Sequence, residues 1–399
     1  MTYTVQTADG RTVTYTDGKR YLWFFSFLLA LVTPATVALY LWTDSVFAVF
    51  FPLAYMYVFI PLFDLVVGED THNPPEEVVE QMAADPFYRI LLHAAVPVFY
   101  ASFAVAAWFV GTQDLPWWAI AVFAWGVGSV HGDVLTIGHE LGHKTNATDR
   151  FSAKIINALI GYAHFCIEHN RGHHVWVSTP EDPASSRMGE SVYKFARREL
   201  PGTFKRGIEH ERLRLSKKGK SFWSVENEVL QGYAITLTIA VLCVALFGWH
   251  MLPFLAIHHF TGWYGLTQAN YVEHYGLLRR KLPNGRYEAV QPRHSWNTNH
   301  IVSNLLLFHL QRHSDHHANA LRPYQALRDF ADLPRLPSGY PGCYTLAAIP
   351  YLWFKVMDPK VVAWAGGDLD KINMDPAARA RLTKKYGRLQ AAVVSAQAA

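Results

Sequence analysis

The chain has 399 residues, of which 51% are hydrophobic, 14% aromatic and only 17% charged, with a formal net charge of +4. Charge this sparse does not suit an ordinary soluble protein, and a net charge this small supplies no footprint for nucleic acid. Three cysteines, Cys166, Cys243 and Cys343, form no C-x-x-C pair, so a disulfide framework is not expected.

In chain order, residues 1–20 read as a polar tail holding Arg11, Lys19 and Arg20. Tyr21–Trp42 then runs without a charged residue. It starts late for a signal peptide and lacks a small-residue cleavage pattern, so it reads as a retained membrane helix. Val46–Val67 holds only Asp64, and "NPPEE" at Asn73–Glu77 reads as a loop feeding a helix. Ile90–Val110, Pro116–Val130, Val229–Phe247 and Met251–Ala269 are apolar runs in which histidine is the only residue that titrates near neutral pH. A helix rises about 1.5 Å per residue and the hydrocarbon core is about 30 Å thick, so about 20 residues cross it. One or two such runs would fit the core of a soluble domain. Six predict an all-α, polytopic membrane protein.

The implied divisions are a tail at 1–20, four spans at 21–143, a cytoplasmic helical segment at 144–226, two spans at 227–280 and a cytoplasmic C-terminal region at 281–399, which ends in a small-residue stretch at 391–399. The two large polar segments together predict a helical cap. The outer connections, Thr43–Ser45, Gly111–Leu115 and Gly248–His250, contain no Lys or Arg, whereas Lys144–Asn227 is rich in both. The positive-inside rule therefore puts both termini and the cap in the cytoplasm. Within the cap, Arg187–Lys220 carries 11 Lys/Arg against 4 Glu. Such a surface suits anionic lipid or an acidic protein partner.

The fourth span, read as helical from Pro116 to His143, is about 42 Å long and overshoots the bilayer core. Its end carries "GHELGHK" at Gly138–Lys144. The His139-Glu140-x-x-His143 pattern matches zinc metallopeptidases, in which two helical histidines hold zinc and the glutamate acts as general base. The chain, however, has 20 histidines, and further groups follow: His169, His173 and His174 in "EHNRGHH", His274 in "NYVEHYGLLR", and His309, His313, His316 and His317 in "LFHLQRHSDHH". The last four stand at i, i+4, i+7 and i+8, which predicts one shared helix face. His72, His210, His250 and His294 are scattered and carry no pattern. All the grouped histidines fall at or beyond the cytoplasmic interface. So many imidazoles packed without metal would repel on protonation. Nine or ten ligands exceed the need of one ion and suit two. Imidazole alone leaves iron, copper, nickel and zinc open. Carboxylates beside the ligands, Glu140, Glu168, Glu273 and Asp315, are candidates to orient imidazole N–H groups. A zinc peptidase needs only one more ligand after His143, so that match reads as a coincidence of helical spacing.

At these motifs the chain resembles the integral-membrane, non-haem di-iron alkane monooxygenases, the alkane omega-hydroxylases. "GHELGHK", "EHNRGHH", "NYVEHYGLLR" and "LQRHSDHHA" carry the likeness, with "DPASSRMGES" at Asp182–Ser191 and "SWNTNHIVSNL" at Ser295–Leu305 beside them. The likeness spans about Tyr21 to Arg381, without departure at the motif histidines. The resemblance implies six membrane helices and a cytoplasmic-side site for two non-haem irons held by His139, His143, His169, His173, His174, His274, His313, His316 and His317. It sets His309 behind the ligands with the four carboxylates. It implies terminal hydroxylation of medium-chain n-alkanes to primary alcohols in a bacterial inner membrane, with O₂ as co-substrate. Electrons would come from rubredoxin, reloaded by a separate NAD(P)H-dependent reductase, since this chain has neither rubredoxin cysteine pairs nor a G-x-G-x-x-G turn. Arg187–Lys220 is the expected docking surface. The alternatives are a membrane fatty-acid desaturase or hydroxylase with the same centre, a metal transporter, and an intramembrane zinc peptidase. A slot for a linear alkane is expected along the second span, with Tyr55, Met56, Tyr57 and Phe59 as candidate walls. Met56 is preferred because methionine fills irregular gaps.

Overall fold

The structure, a computed structural model, describes residues 1–387; the small-residue stretch at 391–399 lies outside them. Helices dominate. The expected N-terminal tail is instead a β-hairpin, Thr2–Gln6 against Thr12–Thr16, with Tyr3 opposite Tyr15. "TYTVQ" and "TVTYT" alternate β-branched and polar residues with period two, which is strand chemistry. Tyr3 is buried and its hydroxyl donates to Asp85 at 2.8 Å, which ties the hairpin to the start of the third membrane helix.

Among the described residues five helices are long and apolar enough to cross a bilayer: Arg20–Thr43, Val46–Val67, Pro86–Thr112, Trp117–Gly142 and Glu228–Phe247. The sixth expected span, Met251–Ala269, lies within a single 24-residue helix, Met251–His274, that falls short in apolarity. The reason is its inward face, where His258, Gln268, Asn270 and Glu273 are buried. Polar residues at this depth must find partners inside the protein. His258 Nε2 lies 3.0 Å from His131 Nδ1 on the fourth helix, and His131 Nε2 meets Ser102 Oγ of the third at 2.9 Å. The fourth and sixth helices touch at Gly128, where an added Cβ would stand 2.4 Å from the His258 carbonyl oxygen. A small residue there is what allows the two backbones to approach.

The fourth helix is not the straight 28-residue rod that its composition predicts. It runs from Trp117 to His131, tightens at Gly132–Asp133, and resumes at Val134–Gly142. Thr136 N bonds Asp133 O at 2.9 Å, a three-residue closure rather than four. The ligand-bearing turn is thereby re-aimed.

Beyond the spans, Val192–Ser216 is a 25-residue helix capped by Ser191, whose side chain accepts from Lys194 N. Glu199 on this helix is buried and accepts from Thr267 Oγ1 at 2.7 Å, which fastens the helix to the Met251–His274 helix. Its cations are largely committed: Arg198 pairs with Glu190, Arg206 with Glu168 and Asp182, Arg214 with Glu211, and Lys194 with Asp375. Lys218 and Lys220, just after it, pair with Glu226.

Candidate metal centre

Four short pieces bring histidines to one place. His139 sits in the Val134–Gly142 helix and His143 caps it, so the i, i+4 pair shares a face. The second motif does something α-helical spacing does not predict. His169–His173 is a π turn. In an α-helix His169 and His173 would align. The wider turn instead aligns His169 with His174, at i+5, and turns His173 the other way. His274 ends the Met251–His274 helix. The last motif is not one face. Leu307–Arg312 is irregular, with Phe308 and His309 at φ of 46° and 54°, and the helix begins only at His313.

The nine histidines implied as ligands form two groups. His139, His143, His169, His174 and His316 make one; His173, His274, His313 and His317 make the other. Within each group one ring nitrogen per residue lies within 4.8 Å of all the others. The Nε2 atoms of His169 and His174 are 3.0 Å apart, those of His174 and His316 3.1 Å, and those of His313 and His317 2.8 Å. Two nitrogens bound at about 2.0–2.1 Å to one ion, at tetrahedral or right angles, stand about 2.9–3.4 Å apart. Nε2 of His139, His143, His173 and His274 has no hydrogen-bond partner although buried. Orphaned buried imidazoles converging at coordination-edge distances fit a metal in each group.

The carboxylates beside the motifs are only partly where expected. Glu273 lies 3.2 Å from His313 Nε2 and 3.9 Å from His274 Nε2, on the side of the converging nitrogens rather than behind a ring. Glu168 faces Arg206, whose Nε donates to it at 2.7 Å. Glu140 faces Lys144, at 3.8 Å, and not the metal groups, which removes the general-base geometry of a zinc peptidase. Asp315 turns outward to Arg328, at 2.8 Å. His309 packs edge-on against Trp23, centroids 4.6 Å apart, and its Nδ1 meets Tyr324 O at 3.0 Å, so it touches neither group. The composition near the motifs hides one member. Asp182, nine residues after His173, accepts from its Nδ1 at 2.9 Å and is fully buried. "DPASS" at Asp182–Ser186 is the only hint: Asp182 Oδ2 also accepts from Ser185 Oγ at 2.7 Å, a turn-forming aspartate put to second use. Arg206 Nη2 donates to its other oxygen at 2.7 Å. An Asp182→Asn protein should bind metal or turn over about 10–100-fold less well, the usual effect of losing the partner that orients a ligating imidazole. Metal analysis and single-turnover assays read it.

Electrostatics agree. Burial first, then neighbouring imidazoles, holds His143, His169, His174, His313, His316 and His317 well below the usual histidine range. They stay neutral, the form that binds metal. His173 is the exception: burial lowers it, but Asp182 more than offsets this and leaves it raised.

Between the membrane helices and the rings lies a small, mostly apolar cavity of about 50 Å³. Its walls include Met56, Leu135, Phe165, Leu266 and Leu307, and it reaches His139 and His169 of one group and His313 of the other. Of the four second-span residues only Met56 lines it. The Tyr57 hydroxyl instead reaches Gln268 Oε1 at 3.4 Å, Phe59 is exposed, and Tyr55 packs on Phe51. This stretch, Tyr55–Phe59, is also a π turn.

Residues 115–346 match the family model described as fatty acid desaturase. The chain is 52% identical to an alkane 1-monooxygenase of Pseudomonas putida, over 93% of this chain and 92% of the relative. It is 49% identical to an alkane 1-monooxygenase of Alcanivorax borkumensis, over 95% and 94%. The xylene/toluene monooxygenase hydroxylase component of Pseudomonas putida is 29% identical over 58% of the chain and 61% of the relative. Near-full-length identity at this level, over a chain that gathers its histidines beside an apolar cavity, places the protein in the alkane 1-monooxygenase family.

Proposed function

We propose that this chain hydroxylates the terminal methyl group of medium-chain n-alkanes to primary alcohols, using O₂ and electrons from rubredoxin, on two non-haem irons. His139, His143, His169, His174 and His316 hold one iron; His173, His274, His313 and His317 hold the other. The observation that carries the reading is the apolar cavity that opens onto both histidine groups. Iron bound there supplies the activation of O₂ needed to break an unactivated C–H bond. The protein does the rest. An alkane has no polar handle, so the cavity walls align its end by shape, and orientation of that kind supplies much of the barrier lowering. The walls also exclude water from the reacting atoms. Asp182 fixes the ring of His173, and Glu273 stands beside His313 and His274. Met251–His274 serves as a sixth span, and the termini and the centre face the cytoplasm across a bacterial inner membrane.

The test is to purify the protein, count its metal and feed a series of n-alkanes with rubredoxin and its NAD(P)H-dependent reductase. About two irons per chain and primary alcohols are expected. Alkenes or hydroxy acids from fatty acyl substrates would point to a desaturase or fatty-acid hydroxylase instead. Within this reading Met56 limits the slot. Met56→Ala should raise the rate on an alkane one carbon too long by about tenfold, the effect of relieving one misfitted methylene, with bound iron unchanged. Gas chromatography of competing alkanes reads it. An unchanged chain-length profile would remove Met56 from the wall that matters.

A further inference from the structure

The cavity beside the rings is not wholly apolar. Ser129, Asp133 and Thr136 stand at i, i+4 and i+7 on the fourth helix, so they share the face that lines it, and Asn270 and Glu273 of the sixth helix line it too. An alkane has no use for such a strip. Most of it is already engaged: Ser129 Oγ donates to Trp125 O at 2.9 Å, Asn270 Nδ2 donates to Glu199 at 3.3 Å, and Glu273 stands beside His313. Asp133 is not engaged. It is 6% exposed, and neither of its carboxyl oxygens has a hydrogen-bond partner although both are buried.

An unpaired carboxyl inside a membrane helix is costly and is retained where something completes it. Backbone contacts fix its place. Gly132 meets the sixth helix so closely that an added Cβ would stand 3.2 Å from Gly262 O, and Thr136 N closes onto Asp133 O at 2.9 Å. The cavity, at about 50 Å³, exceeds the ~10–15 Å³ that one water needs, so a hydroxyl fits beside the carboxyl. His139 lines the same cavity and follows Asp133 by six residues, about 9 Å of helix rise. The bare carboxyl and the rings thus lie at separate points of one space.

We propose that Asp133 is the binding site for the product's hydroxyl: it takes the O–H of the primary alcohol and holds that end away from the histidine rings. The proposal rests on the oxygenase reading and adds how the first product is kept from becoming a second substrate. An alkane offers the carboxyl nothing, so its methyl end runs past Asp133 to the rings. The alcohol brings a donor and an acceptor, and a carboxyl pairs with a hydroxyl in either protonation state. Anchored there, the hydroxyl-bearing carbon is out of reach of the rings. A second round would consume the alcohol, one O₂, two protons and two electrons, and yield the aldehyde and two waters. The anchor withholds the alcohol from that round.

The experiment uses the full-length iron-loaded protein in detergent. Equilibrium dialysis against protein-free micelles compares 1-octanol with 1-fluorooctane, a chain of equal length without the hydroxyl proton, on the wild-type protein, Asp133→Leu and Asp133→Asn. The wild-type protein should prefer the alcohol by about tenfold, the worth of one buried hydrogen bond. Asp133→Leu should lose that preference, and Asp133→Asn, whose amide oxygen still accepts the hydroxyl proton, should keep it. Turnover of octane with reduced rubredoxin should give a larger share of octanal from Asp133→Leu, raised by a similar factor. No preference in the wild-type protein, a preference that survives in Asp133→Leu, or an unchanged octanal share overturns the anchor. The first of these is read on the wild-type protein alone and needs no variant to fold. A wild-type protein that makes no octanol from octane overturns the oxygenase reading instead, and the dialysis still decides whether Asp133 binds the hydroxyl.

Discussion

Arg206→Met is expected to cost about 3–5 kcal/mol of stability, the penalty for stranding a buried charge. Among the described residues Arg206 alone pairs with both Glu168 and Asp182, both of them buried. Its guanidinium reaches Glu168 through Nε at 2.7 Å and Asp182 through Nη2 at 2.7 Å. Remove it and Glu168 loses its cation, while Asp182 keeps the His173 ring and the Ser185 hydroxyl. Glu168 already feels burial pushing its carboxyl upward, with Arg206 as the main opposing influence. The loss should appear as a lower thermal midpoint in detergent and as reduced metal content. Arg206→Lys should recover only part of it, because a point charge cannot span both acceptors as the fork does. An Arg206→Met protein as stable and as metal-rich as the parent would mean that the pairs are loose in solution.

His316→Ala should lower turnover by more than about 100-fold, beyond the range for losing a mere orienting partner, and should release metal. His309→Ala should leave both unchanged to within about twofold, on the same scale. The two residues are near neighbours in sequence and were equivalent by helical spacing. The structure separates them: His316 Nε2 lies 3.1 Å from His174 Nε2, whereas His309 faces Trp23 and Tyr324. Metal analysis of the two variants decides it. Retention of metal by His316→Ala with loss from His309→Ala would invert the proposed ligand set.

How far the sequence alone reaches can be seen at particular residues. The spans were legible because apolar runs of about 20 residues have few other uses. The histidines were legible because they cluster. The sixth helix was legible as a helix, while its polar inward face, with His258 and Gln268, blurred its status as a span. The partition into five and four was not legible, since it depends on a π turn that no residue in "HNRGH" announces. His309 misled because phase arguments assume that the helix continues, and left-handed backbone at Phe308 and His309 ends that assumption. Asp182 was missed because a partner across a turn leaves no periodic mark. The hairpin at Thr2–Thr16 was read as a polar tail, although its period-two alternation is strand chemistry.

The two π turns carry a consequence for how this chain could change over generations. Each turn holds one residue more than an α-helical turn would, once at Tyr55–Phe59 beside the cavity and once at His169–His173 among the rings. A point substitution leaves that surplus in place. Deleting a single residue removes it and rotates everything on one side by about 100°, the angle per residue of an α-helix. At His169–His173 such a deletion would return both flanks to one phase and dissolve the division between the two groups. At Tyr55–Phe59 it would swing Met56 off the cavity wall and bring a neighbour into its place, with no residue of the metal centre altered. A one-residue deletion there would therefore reshape the cavity wall in a single step, whereas an exchange at Met56 alters one side chain of it.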